Sequence, residues 1–197
     1  MRRLGAAGES VSQMAVVYPK GSGYAPLLQN ILPMYGLEAY VAEKRQSGAH
    51  PISRFLLCAL SVVSNGWRLS DLLECAQTGF LGITQEETDK LCAYCEGADV
   101  RGDAFRRPFR YPRGVTEEEL DALEESREKI AAPLLALQND LSRAQTADDT
   151  IQAILRLLEG VNAYETLEDM RDELNQIGMT SEAQDCAQVW NALMETL

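Results

Sequence analysis

Apolar positions recur in two rhythms along the chain, and one gives way to the other near His50-Pro51. Before that point "MAVVYP", Met14 to Pro19, is a short apolar run stopped by proline, the pattern of a buried strand. "GSGYAPLLQNILPMYG" then sets Leu27, Leu28, Ile31, Leu32 and Tyr35 on one helical face, with Gly36 placed to end the helix. "LEAYVA", Leu37 to Ala42, returns to strand-like alternation. Strand, helix and strand within about 30 residues predict one βαβ unit. Its sheet is incomplete, because parallel strands are usually buried in a sheet of more than two.

From Pro51 onward every periodic segment is helical. Pro51 fits the first turn of a helix carrying Ile52, Phe55, Leu56, Ala59, Leu60 and Val63, broken at "SNGW" by Trp67. Ser70 predicts the cap of a helix through Leu72, Leu73 and Ala76, ended by Gly79. Thr84 with Glu87 spells a capping box for a helix reaching Glu96, and Thr116 with Glu119 does the same for a long helix from Leu120 to Leu141. Pro133 lies inside the latter and is expected to kink or split it, since proline removes a hydrogen bond and crowds the preceding turn. Three further patterns follow, Thr146 to Leu158, Leu167 to Leu174 and Ala183 to Leu193. The expected fold class is mainly α: a βαβ segment over residues 1–47, then six to seven helices over residues 48–197.

Charge sharpens this division. Residues 1–113 carry 13 Lys and Arg against 11 Asp and Glu, whereas residues 114–197 carry 5 against 19. An acidic half repels phosphate, which argues against uniform coating by nucleic acid and confines any such contact to the first half. No apolar run reaches the roughly 20 residues that span a bilayer, and "MRRLGAAGESVSQ" lacks the apolar centre of a signal peptide, so a cytoplasmic location without membrane contact is expected. Cys58, Cys75, Cys92, Cys95 and Cys186 are odd in number and sit mostly among apolar neighbours, as reduced core thiols do.

Few residues offer chemistry. His50 is the only histidine, cannot build a histidine-rich metal site, and before a helix-starting proline reads as a boundary residue. Cys92-Ala-Tyr-Cys95 has redox-motif spacing but falls near the end of a helix rather than between strand and helix, which favours two structural cysteines over a redox or metal pair. Consecutive glutamates in "TEEELDALEESREK" answer a helix dipole, and no phosphate-cradling glycine motif occurs. The polar stretch that stands out is "RGDAFRRPFRYPRG", in which Arg101, Arg106, Arg107, Arg110 and Arg113 interleave with Phe105, Phe109 and Tyr111. Arginine with aromatics can grip phosphates and stack bases. The reading favoured over this is a proline-containing surface loop whose arginines pair with the acidic helices that follow.

Taken in order, these stretches resemble the AddB/RexB family, the B subunit of a bacterial ATP-dependent helicase–nuclease. The segment from Met14 to Trp67 is similar to the family's strand, tyrosine-containing helix, "G-I-P-Y-F-x-D" strand and "H-P-L" segment opening a helical insertion. "DLLECAQTGFLGITQEETDKLCAYCEGADVRG" resembles its "K-T-G", "L-E-N-Y" and "G-I-R-G" stretches, and "SREKIAAPLLAL" and "QVWNALMETL" resemble later helices. Leu37-Glu38-Ala39-Tyr40 departs from Ile-Pro-Tyr, and Gln77 stands where the family has lysine.

The resemblance implies the beginning of a RecA-like helicase domain 2A and most of its 2B-like insertion, in a protein that processes double-strand breaks in repair and recombination. It implies DNA and an AddA/RexA-type helicase subunit as partners. ATP with magnesium belongs to the parent complex, and the nuclease carboxylates and an iron–sulfur cluster lie outside the matching segment. No catalytic, cofactor or metal residue is thereby assigned here. The five loop arginines are the candidate DNA contacts of a non-catalytic segment; a helical module binding protein through its acidic face is the alternative.

Overall fold

The computed structural model of the chain describes Ser10 and residues 14–19, 23–37, 50–112 and 114–197. The backbone divides into two compact units, Met1–Arg45 and Gln46–Leu197. In the first, helix α1 spans Tyr24–Met34. It ends as the sequence predicts: Gly36 adopts a left-handed φ of 67°, and the Leu32 carbonyl accepts from the Tyr35 and Leu37 amides.

The βαβ expectation is overturned. Met14 to Pro19 is irregular, with Val17 94% exposed. An apolar run becomes a strand only where a neighbour takes up its N–H and C=O groups, and among the described residues there is no strand to do so. Of the second expected strand, residues 38–42 lie outside the described residues.

The helical expectation fits the second unit, which holds α2 (Pro51–Ser64), α3 (Leu69–Ala76), α4 (Gln85–Gly97), α5 (Glu117–Arg143), α6 (Ala147–Gly160), α7 (Ala163–Gln176) and α8 (Thr180–Thr196). A short 3₁₀ turn, Gly102–Ala104, lies in the connection before α5. Helix α2 packs on α3 and α5, α4 on α3 and α5, and α5 through α8 pack in succession. The buried apolar core runs from Ile52 to Cys186 and centres on Phe55, Trp67, Phe80, Phe105, Ile130 and Leu134.

Local signals explain most boundaries. Thr84–Glu87, Thr116–Glu119 and Thr146–Asp149 each form a complete capping box, in which threonine oxygen and carboxylate satisfy two otherwise unpartnered amides. The Thr84 amide for Glu87, the Thr116 amide for Glu119, and the Gln145 amide together with Thr146 for Asp149 hold these carboxyls below their ordinary range. In Gln77-Thr78-Gly79 the Thr78 hydroxyl donates to the Cys75 carbonyl at 2.6 Å, and Gly79 turns the chain with φ 87°. A Cβ on Gly79 would stand 2.9 Å from Met170 Cε, so this glycine also admits α7.

Two expectations need correction. Ser70 is not a cap: α3 starts at Leu69 behind Arg68, and the Ser70 hydroxyl bonds Asp71. Pro133 does not split α5, which continues to Arg143. The lost bond is a single one, to the carbonyl four residues back, and burial of Ile130, Ala131, Leu134 and Leu137 around it holds the helix together.

Candidate nucleic-acid interface

The arginine-rich connection between α4 and α5 is seated on the corner that ends α2. There the Trp67 amide donates to the Val62 carbonyl at 3.0 Å and Gly66 takes φ 75°, a Schellman-type ending. Trp67 follows with φ 61°, a left-handed conformation that costs a bulky residue about 1–2 kcal/mol. Its ring is fully buried, and Nε1 donates to Gln138 Oε1 at 3.2 Å.

Two aromatics of the connection point inward. Phe105 is 1% exposed and meets Phe109 edge-on at 6.0 Å, while Phe109 packs on Tyr94 at 4.9 Å. Arg127 of α5, itself 5% exposed, lies over the Phe109 ring at 5.8 Å. It donates to the Phe105 carbonyl at 3.2 Å and grips Glu124 through two bonds of 2.8 and 2.6 Å. Glu124 in turn accepts from the Phe109 amide at 2.8 Å. Farther along, the Tyr94 hydroxyl donates to the Tyr111 carbonyl at 3.0 Å. The backbone is therefore pinned at residues 105, 109 and 111.

This arrangement divides the expected site residues. Arg101 is exposed and pairs with Asp99 at 2.7 Å. Arg106 lies 5.2 Å over the Trp67 ring and pairs with Asp103 at 3.3 Å, so much of its side chain serves the corner. Arg107 and Arg110 are exposed, with no ion pair among the described residues. Arg113 lies outside the described residues. Phe105 is buried and offers no face to a base, Phe109 is half-buried against Tyr94 and Phe105, and Tyr111 is 69% exposed. The ion pairs of Arg101 and Arg106 go to carboxylates within or next to their own connection, not to the acidic helices.

Sequence reasoning missed Arg127 and Glu124, which sit in a run of charges that resembles a solvated face. The signal available was their spacing of three on a helix whose neighbouring positions, Leu123 and Ile130, are apolar.

His50 precedes α2 in extended conformation without a side-chain cap bond, and Pro51 is the first helical residue. Burial lowers the His50 pKa against the opposing pull of Asp185 on α8, and its Nδ1 is buried without a hydrogen-bond partner. Burial raises the Cys92 thiol and pushes Cys95 up to about 12, the opposite of an activated redox pair. Among the described residues no group of His, Cys, Asp and Glu is arranged to hold a metal. Nor is any described helix long and apolar enough to cross a membrane.

No family model matches the chain. Its curated relatives include the B subunit of the ATP-dependent helicase/deoxyribonuclease of Bacillus velezensis, 28% identical over 96% of this chain and 18% of the relative. The proteins of the same name from Symbiobacterium thermophilum and Bacillus subtilis are 28% and 24% identical, over 93% and 96% of this chain and 17% and 18% of their own lengths. The chain therefore spans less than one fifth of the length of these relatives. Over nearly all its length the chain is similar to one segment of these B subunits of ATP-dependent helicase/deoxyribonucleases.

Proposed function

We propose that this segment is a non-catalytic, DNA-positioning element of a cytoplasmic helicase–nuclease that processes double-strand breaks in repair and recombination, with residues 48–197 serving as its 2B-like helical insertion. The observation that carries the reading is the similarity to AddB-type proteins across 93–96% of this chain, from the first unit through the last helix. In this reading ATP and magnesium act in the complex with an AddA/RexA-type partner, and strand cutting belongs to parts of the AddB-type protein beyond the matched segment.

The loop is suited to hold a backbone. Arginines recognise phosphate oxygens through a planar fork of donors, and ordering costs affinity when the element that carries them is mobile. Here Arg107 lies between the pinned residues Phe105 and Phe109, and Arg110 just before the pinned Tyr111 carbonyl. Exposed Tyr111 supplies one stacking surface beside them.

Salt-dependent binding of a forked duplex, compared with the Arg107→Ala/Arg110→Ala variant, tests this. Weaker binding and a shallower salt dependence are expected, by about 0.7–0.9 in slope for each phosphate no longer neutralised. Unchanged affinity would remove the loop from the DNA path. If instead Glu117→Gln/Glu118→Gln abolished capture of the helicase partner and left DNA binding intact, the acidic-face reading would replace this one.

A further inference from the structure

The helix that follows the Trp67 corner begins with a residue that local structure does not call for. Arg68 occupies the N-cap of α3 without a side-chain cap bond. Ser, Thr, Asp and Asn are preferred there, and a cation at the positive end of a helix dipole is unfavourable. Arg68 is nevertheless exposed and makes no ion pair among the described residues. It is presented there by two successive left-handed residues, Gly66 and Trp67, the second under backbone strain.

The same corner touches the arginine-rich connection. A Cβ on Gly102 would come 3.3 Å from the Gly66 carbonyl oxygen, so the two turns are in contact. Between them lies an open cleft of about 580 Å³, lined among others by Gly66, Arg68, Leu69, Glu96, Val100 and Arg101. Two arginines therefore share a cleft with apolar Leu69 and Val100, and Arg106 on the Trp67 ring continues the charge toward Arg107.

We propose that Arg68 and this cleft form a second contact for the backbone of single-stranded DNA, taking one nucleotide beside the loop. The proposal rests on the DNA-positioning reading of this segment. In it, Arg68 holds a phosphate, Leu69 and Val100 meet the sugar or base, and the Glu96 carboxylate at the margin limits affinity by repelling the backbone. Arg101, already paired with Asp99, contributes less than Arg68.

The test is the salt dependence of binding of a labelled oligothymidylate to the full chain, using Arg68→Ala, Arg68→Lys, Glu96→Gln and Arg107→Ala/Arg110→Ala, each checked for unchanged thermal unfolding. Arg68→Ala is expected to weaken binding and lower the salt slope by about 0.7, Arg68→Lys to keep the slope, and Glu96→Gln to tighten binding. If Arg68→Ala and Glu96→Gln bind like the parent while the loop variant is weakened, the cleft contact is wrong and the loop reading survives. If Arg68→Ala alone is weakened, the cleft stands and the loop reading falls. Absence of any salt-dependent binding overturns both.

Discussion

At the scale of single residues, the connection before α5 owes its conformation to Arg127 and Glu124 more than to its own arginines. Arg127 is buried, and removing it leaves the Glu124 carboxylate and the Phe105 carbonyl short of donors. Breaking a buried pair from one side costs about 3–5 kcal/mol. Because the Glu124 side chain keeps 24% exposure, Arg127→Ala is expected near the lower end, about 3 kcal/mol by urea unfolding. A loss below about 1 kcal/mol would class the pair with surface ion pairs. Beyond that spacing of three, little of this was visible in the sequence, because "EESREK" reads as solvated charge whichever of its members is turned inward. The same blindness made Phe105 and Phe109 look equally available for stacking, although Phe105 is buried and Phe109 is half-buried against Tyr94 and Phe105.

At the scale of elements, legibility followed the range of the determining interaction. Capping boxes act within four residues, so the starts of α4 and α5 could be read directly from Thr84–Glu87 and Thr116–Glu119. A strand is defined by a partner distant in sequence, and the apolar run at Met14 to Pro19 could not reveal that none of the described residues pairs with it. The caps also carry a pH signature. Glu87, Glu119 and Asp149 titrate lower in the folded chain than their ordinary values, so their contribution is complete only above those ordinary values, from about pH 5 upward, and is lost as pH falls through the folded values. The combined variant Glu87→Gln/Glu119→Gln/Asp149→Asn is expected to be less stable than the parent at neutral pH and to lose less on acidification to about pH 3, as read from urea midpoints. Parallel pH profiles for the two proteins would show that the caps do not carry the acid response.

At the scale of the whole molecule, the buried core found among the described residues lies in the second unit. All residues of its buried cluster lie between Ile52 and Cys186, whereas α1 leaves Leu27, Ile31 and Met34 exposed. A chain comprising residues 46–197 is therefore expected to unfold cooperatively at the same midpoint as the 197-residue protein, to be checked by calorimetry. A markedly lower midpoint would show that the first unit stabilises the second. The division predicted near residue 47 came from a change in apolar period. The 2B-like role given to the second unit came from the resemblance, and only the former rests on forces acting within the chain. The corner at Trp67 also supplies an optical gauge. The protein has two tryptophans, one sealed beneath Arg106 and hydrogen-bonded to Gln138, the other half-buried against Tyr164 at 5.3 Å. Fluorescence emission from a Trp190→Phe chain thus reports the seating of the arginine-rich connection alone, without a label placed on the surface that would meet a ligand.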